Sequence, residues 1–325
     1  MAFAKWSKRW SKHVAVAAIT LAAATPSWAQ YTKMVVFGDS MSDTHRYYEL
    51  SKLLFGEGYP SAPSMPGRFC DGPVAVEYLA KNLNLSLLNY AVAGAQSGYS
   101  TLALIPLGVL TQVNEHLNDN SIVPTITTVP VVSSITTLLP GTGRADPKAL
   151  YFLWTGPDDF YAIGGMNALT PYFVLAHMNQ TVTSLYDAGA RYFFIPTMPD
   201  LSITPSAAVH ETKQPGYIAT AAKLSAQFSV VLTKGINDMR AKYPKAKIMS
   251  FDTMTFLKTE REKARLEGKN VTDACHPGGL AITSSDPTPP CPDPENHLFW
   301  DSNHPTTAAN KILADGWVKA IVYKP

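Results

Sequence analysis

Hydrophobic positions along the chain fall into two recurring patterns, short continuous runs and longer segments with helical spacing. Five short runs are typical of buried strands, at 31–37, 85–92, 150–155, 191–196 and 247–251. Apolar residues three or four positions apart predict helices over 73–83, 111–117, 170–188 and 217–243, and a last helix after Pro305. Strands that alternate with helices imply a mainly parallel sheet with helices on both faces. The pattern therefore predicts an α/β fold.

One long segment departs from this alternation. Residues 119–148 are rich in threonine, proline and valine and have little period, which is typical of an irregular excursion over one end of a fold. A lid or lipid-docking element is the alternative interpretation. No repeat or linker divides the chain, so residues 30–325 are predicted to form a single domain.

The first 29 residues have the pattern of a signal peptide. Four basic residues precede the apolar run 14–24, which is too short to span a bilayer, and Ser27-Trp28-Ala29 resembles a cleavage site. An uncleaved membrane anchor is the alternative. Cleavage after Ala29 predicts a secreted or periplasmic protein.

Composition adds limits on function. Hydrophobic residues make up 46% of the chain and charged residues 16%, which favours a sizeable core over disorder. The net charge of +2 gives no electrostatic footprint for nucleic acid. Removing the four basic residues of the leader from 27 leaves 23 against 25 acidic residues, so the mature chain is slightly acidic.

The three cysteines have a simple interpretation in an exported protein. Cys275 and Cys291 bracket a segment rich in glycine, serine and proline, which favours a local disulfide in an oxidising compartment. Pairings that use Cys70 remain open, although the local bridge is shorter. No cluster of cysteine and histidine has zinc spacing, so neither a metal site nor a cofactor is indicated.

Two distant segments carry the residues of a nucleophilic site. Ser40 follows the first predicted strand, on a turn from which its side chain can project. A serine hydroxyl needs a base within hydrogen-bond reach, and that base needs an orienting acceptor. His304, at a corner before Pro305, supplies the base, and Asp301 supplies the acceptor.

Four sequence blocks in order resemble the SGNH-type GDSL lipase/esterase family. Residues 38–41 (Gly-Asp-Ser-Met) look like its first motif, and Asp301-x-x-His304 looks like its last. Residues 89–95 and 154–159 are similar to its second and third blocks. The Cys275–Cys291 loop resembles the bacterial branch of secreted phospholipases, lysophospholipases and glycerophospholipid–cholesterol acyltransferases. The resemblance implies a flavodoxin-like three-layer α/β/α sandwich.

The resemblance also implies an oxyanion hole with three donors. Family members use the backbone N–H of the serine and of a glycine, here Ser40 and Gly94, together with an asparagine side chain. Asp158 occupies the position of that asparagine, and an ionised carboxylate would repel an oxyanion. Asp158 is protonated and donates, or another group replaces the donor, or activity is low.

We therefore expect a serine ester hydrolase that cleaves carboxylic esters through an acyl-enzyme, with Ser40, His304 and Asp301 as catalytic residues. The family branch indicates lipid or lysophospholipid esters, acyl transfer to another alcohol, and contact with a membrane surface. A carbohydrate acetyl esterase and a catalytically impaired ester- or glycan-binding protein are the alternatives. The sequence does not determine the oligomeric state.

Overall fold

The computed structural model describes residues 31–118, 143–278, 280 and 288–323. The predicted signal peptide, 1–29, lies outside the described residues, as does most of the predicted excursion, at 119–142. The helices and strands of the fold have their bounds within these ranges.

Five parallel strands form the central sheet. They are β1 (Lys33–Gly38), β2 (Ser86–Asn89), β3 (Leu150–Trp154), β4 (Tyr192–Pro196) and β5 (Lys247–Phe251), in the spatial order β2-β1-β3-β4-β5. Val35 pairs with Leu88 on one side and with Tyr151 on the other, so β1 lies inside the sheet. The chain reverses its direction of winding between β1 and β3, and ligands of such sheets bind at the carboxyl ends of the strands flanking that point.

Helices cover both faces of this sheet. They are α1 (Arg46–Phe55), α2 (Ala75–Asn82), α3 (Val109–Leu117), α4 (Pro157–Tyr161), α5 (Thr170–Asp187), α6 (Pro205–Lys213), α7 (Tyr217–Lys242), α8 (Thr253–Leu266) and α9 (Thr307–Tyr323). Among the described residues, no helix is both long and apolar enough to cross a membrane.

Alternation along the strands divides the core into two layers. Val35 and Phe37 of β1 are buried with residues of α3, α5 and α7, whereas Met34 and Val36 are buried with residues of α2 and α9. In this second layer the ring of Trp317 from α9 lies 5.0 Å from that of Phe152 and 5.1 Å from that of Trp154. The prediction of a flavodoxin-like α/β/α sandwich with a mainly parallel sheet is confirmed.

A small second sheet lies before the last helix. Strands β6 (Asn270–Ala274) and β7 (His297–Phe299) pair in parallel, and the predicted disulfide between Cys275 and Cys291 closes the connection between them. The backbone N–H of Cys275 donates to the carbonyl of Phe299 at 3.0 Å, and that of His276 donates to the carbonyl of Trp300 at 2.6 Å. The bridge therefore braces the backbone that leads into residues 300–304.

Candidate active site

Ser40 lies on a tight turn directly after β1. The carbonyl of Asp39 accepts the backbone N–H groups of Ser42 and Asp43, at 3.0 and 2.9 Å, and the Asp39 Oδ1 accepts the N–H of Met41 at 3.0 Å. These bonds close the turn around Ser40. Its side chain is directed to the carboxyl edge of the sheet, where it lines a cavity.

Asp43 joins this turn to the loop after β2. Its buried carboxylate accepts the backbone N–H groups of His45, Arg46 and Tyr47 at the start of α1, and that of Ala93 at 2.8 Å. Burial raises the pKa of this carboxyl, and the four hydrogen bonds oppose the rise. Asp43 therefore sets the position of Ser40 relative to Gly94, which follows Ala93.

Ser40, His304 and Asp301 form a continuous hydrogen-bonded chain. The Nε2 of His304 lies 2.7 Å from the Oγ of Ser40, and its Nδ1 lies 2.8 Å from the Oδ2 of Asp301. Asp301 is fully buried, and a carboxylate can only accept, so the Nδ1 carries the proton and the Nε2 presents its lone pair to Ser40.

The loop at 300–304, which carries Asp301 and His304, is held from several sides. Asp301 Oδ1 accepts the backbone N–H groups of Asn303 and His304, each at 2.8 Å, so one carboxylate shapes the loop and orients the ring. The ring of Phe69 stacks on that of His304 with centroids 5.0 Å apart. The indole N–H of Trp300 donates to Ser64 Oγ at 2.9 Å.

The backbone N–H groups of Ser40 and Gly94 are two candidate donors at this edge of the sheet. Gly94 has φ +78°, the left-handed region that favours glycine, and its carbonyl accepts the N–H of Leu102 at 2.8 Å. Within the described ranges, neither the N–H of Gly94 nor that of Ser40 donates a hydrogen bond. Both residues line the cavity with His304.

Three carboxyl groups, Asp39, Asp158 and Asp159, form a buried carboxyl cluster beside Ser40. Burial raises the pKa of Asp39 to about 7 and that of Asp159 to about 6. Burial, followed by the charges of its two neighbours, raises the pKa of Asp158 well above its ordinary value. The Oδ2 of Asp158 has no hydrogen-bond partner among the described residues, and Asp158 lines the cavity.

Asp159 has partners that the sequence analysis did not identify. Its carboxylate accepts the backbone N–H of Ser97 at 2.9 Å and the hydroxyl of Ser97 at 2.7 Å. The same Oγ lies 2.9 Å from the Nδ1 of the half-buried His177. The only sequence signal for this set is that Ser97 follows the second block and Asp159 belongs to the third.

A cavity of about 740 Å³ opens over these groups. Its lining is largely apolar and comes from α1, α4, the loop after β2, the segments before α2 and α5, and the start of α7 with the segment before it. It includes Tyr47, Leu50, Phe69, Ile105, Phe160, Met166, Leu201 and Tyr217. Its polar residues include Ser40, His304, Gly94 and Asp158, and also Thr101, Thr204, Ser206, His210, Gln214 and Asn303. The arrangement can hold an apolar group of considerable length beside a hydroxyl that has a base.

Three further features of the sequence do not line the cavity. Residues 235–238 read Gly-Ile-Asn-Asp, which is similar to the third block but has asparagine where that block has Asp158. They lie within α7, where Gly235 packs so closely against Leu175 of α5 that a Cβ would overlap the leucine side chain. Cys70 is free and buried, and burial raises the pKa of its thiol. His297 Nδ1 lies 3.4 Å from Cys291 Sγ, but both nearby sulfurs belong to the disulfide.

Comparison with known proteins agrees with the motifs. The model of the GDSL-like Lipase/Acylhydrolase family matches residues 34–317. A thermolabile hemolysin of Vibrio parahaemolyticus is 28% identical over 88% of this chain, which spans 63% of the hemolysin. Acetylajmalan esterase 2 of Rauvolfia serpentina is 26% identical over 93% of this chain and 94% of its own.

Solved structures with a similar course of the chain have low sequence identity. A carbohydrate acetylesterase from Sinorhizobium meliloti has a TM-score of 0.46 and 12% identity, over 90% of this chain and 99% of that chain. The family match rests instead on the sequence model, which covers far more than half of the chain from β1 to α9. The protein therefore belongs to the GDSL-like lipase/acylhydrolase family and is a carboxylic ester hydrolase.

Proposed function

We propose that Ser40 is the nucleophile of this ester hydrolase, with His304 as general base and Asp301 as the group that orients it. The observation that carries the proposal is the 2.7 Å contact between His304 Nε2 and Ser40 Oγ, in line with the bond from His304 Nδ1 to Asp301. The Oγ attacks the ester carbonyl while the Nε2 takes its proton. Asp301 stabilises the imidazolium that forms.

The tetrahedral intermediate then collapses. His304 gives its proton to the leaving alcohol, the bond between the carbonyl carbon and that alcohol breaks, and an acyl-Ser40 ester remains. Water, activated by the same Nε2, attacks this ester and releases the acid and the free serine. Another alcohol in the position of water would give acyl transfer.

Three donors are proposed for the oxyanion. The free N–H groups of Ser40 and Gly94 supply two of them. The third is the neutral carboxyl of Asp158, which lines the cavity and whose buried Oδ2 has no hydrogen-bond partner in the described part of the chain. Burial and the charges of Asp39 and Asp159 raise the pKa of Asp158, which favours its protonated form, and in that form the group donates as the usual asparagine would.

The cavity supports lipid or lysophospholipid esters as the substrate class. Its volume of about 740 Å³ far exceeds the space that an acetyl group needs, and its aliphatic and aromatic lining suits an acyl chain. The chain would act in a secreted or periplasmic location after cleavage at Ala29. The Cys275–Cys291 disulfide supports an oxidising compartment.

A substrate panel tests this proposal. Purified protein is assayed with nitrophenyl esters of short and long acyl chains, lysophosphatidylcholine, diacylphosphatidylcholine and acetylated xylan, with Ser40→Ala as the control. We expect kcat/KM to rise with acyl length and lysophospholipid to be cleaved. Hydrolysis of acetylated sugar alone would replace the lipid proposal with an acetyl esterase, and no hydrolysis at all would favour a binding protein.

A further inference from the structure

Three segments at the mouth of the cavity present aliphatic or aromatic side chains to solvent. Leu54 and Phe55 end α1, Leu102 and Leu104 belong to the loop after β2, and Ile163 follows α4. Leu104 is 84% exposed and Ile163 is fully exposed. We call these five residues the apolar rim.

The apolar rim is continuous with the cavity. Leu54, Phe55 and Leu102 line the cavity and are also about half exposed, so they lie where it opens to solvent. Leu104 and Ile163 do not line it, but both chain neighbours of each do. Single exposed apolar residues are ordinary, whereas a contiguous group around a cavity mouth indicates an interaction site.

The backbone holds one of these side chains at a cost. Leu104 has φ +59°, the left-handed region that non-glycine residues rarely adopt. Its backbone N–H donates to Thr101 at 2.9 Å, and the N–H of Thr101 donates to Ile105 at 2.8 Å, so the loop is closed on itself with the leucine outward. Such local strain commonly accompanies a functional position.

Charge around the apolar rim limits what it can contact. The two segments that carry Leu102, Leu104 and Ile163 contain no Asp, Glu, Lys or Arg over 93–114 and over 160–176. The third segment, at the end of α1, has the exposed Lys52 and Glu57 on either side of Leu54 and Phe55, one charge of each sign. A rim without net charge has no net electrostatic attraction for anionic lipid and no partner for a strongly ionic protein surface. Its complement is an apolar phase covered by headgroups with no net charge.

We propose that the apolar rim docks the protein onto the surface of an electrically neutral lipid aggregate, such as phosphatidylcholine. Leu104 and Ile163 insert among the headgroups and upper acyl carbons, while Phe55 and Leu102 border the opening. A lipid ester then passes from the aggregate into the cavity without crossing water. This inference rests on the proposed lipid substrate, but binding to a lipid surface can be measured without turnover.

The test uses the mature chain with Ser40→Ala, so that no lipid is consumed. Co-sedimentation with phosphatidylcholine vesicles is compared before and after adding Leu104→Ser and Ile163→Ser together. The matched control adds Val230→Ser and Leu266→Ser, two aliphatic residues that are 71% and 72% exposed on α7 and α8 and do not line the cavity. We expect the rim variant to lose at least about tenfold in partitioning, and the control to bind as its parent does.

Several outcomes would overturn the proposal. One is a parent protein that does not sediment with the vesicles, and another is a rim variant that binds as well as its parent or a control that loses as much. Sedimentation velocity without lipid tests whether a second copy of the chain covers the rim instead. A parent protein that is a dimer, and that Leu104→Ser with Ile163→Ser converts to a monomer, would assign the rim to that second copy. Melting temperatures measured by circular dichroism distinguish a variant that has lost its fold from one that has lost only its binding to lipid.

Discussion

Asp158→Asn exchanges one oxygen for a nitrogen at the position where this chain departs from its family. In our account Asp158 works as a neutral acid, so asparagine supplies a comparable neutral donor that cannot ionise. The variant should therefore resemble the native enzyme at low pH and exceed it at high pH. The opposite view, an ionised Asp158, predicts a gain at every pH.

The size of the effect follows from the carboxyl cluster. The pKa of Asp159 is raised to about 6 and that of Asp39 to about 7, so both neighbours become negative as the pH passes through this range. Burial raises the pKa of Asp158 well above its ordinary value, and the charges of its two neighbours raise it further, so all three favour the proton on Asp158. When that proton leaves, one oxyanion donor is lost, which costs about 3 kcal/mol or roughly 100-fold in kcat.

The assay is kcat for a soluble nitrophenyl ester between pH 5 and pH 10. At pH 6 we expect the Asp158→Asn variant to lie within about threefold of the native enzyme, because one neutral donor replaces another. Any fall of the native profile that comes from loss of the Asp158 proton should be absent in the variant. Asp158→Ala, the control without a donor, should lose about 100-fold already at pH 6. An Asp158→Asn profile that parallels the native one, or a 100-fold gain at pH 6, would refute the neutral-donor account.

Three further predictions concern stability, each measured by urea unfolding. The free energy of unfolding should fall as the pH rises from 4 to 7, because the folded state retains protons that the unfolded state releases near pH 4. The raised pKa of Asp159 alone accounts for about 3 kcal/mol of this fall. A free energy of unfolding that does not change with pH would contradict the prediction. Replacing Cys275 and Cys291 by serine should cost about 3 kcal/mol by the chain-entropy model, whereas an unchanged midpoint would show that the bridge adds nothing. Arg46→Met removes the partner that lies 2.9 Å from the mostly buried Glu115, and it should lower the free energy of unfolding by about 3–5 kcal/mol. The further change Glu115→Gln should restore part of this loss. A loss near zero would show that the ion pair is solvated.

The central sheet could be predicted from the sequence because its three inner strands, β1, β3 and β4, are buried on both faces. All five predicted strands are present, since runs such as 34–37 and 150–154 leave few other structures open to them. The strand β2 is shorter than predicted, at Ser86–Asn89, although the N–H groups of Tyr90 and Val92 still donate to the carbonyls of Val36 and Gly38 in β1.

Several helices were not predicted from the sequence, because few of their residues are buried in the core. Only Thr253 of α8 is buried, so the helix shows no apolar stripe. The apolar residues at the end of α1 face the cavity and solvent instead of the core, which weakens the periodic pattern there. The pair β6–β7 is three to five residues long in each strand and depends on contacts between segments far apart in the chain.

The residues of the candidate site also form two groups, those that the sequence predicts and those that only the folded structure reveals. Ser40, His304 and Asp301 stand in motifs with local signals, a strand end and a corner before a helix. Asp43 and Ser97 have no such signal, because their importance comes from backbone N–H groups and a carboxylate that only folding brings to them. The burial that raises the pKa of Asp158 is likewise a property of the packed structure.

The most direct test of the central claim is covalent labelling of Ser40. The folded protein is treated with a fluorophosphonate, digested, and analysed by mass spectrometry for the modified peptide. Our account predicts one adduct, on Ser40, that disappears with Ser40→Ala and forms far more slowly with His304→Ala, since the 2.7 Å contact activates the hydroxyl. Absence of the adduct in folded protein, or labelling at the same rate without His304, would contradict the assignment of Ser40 as an activated nucleophile.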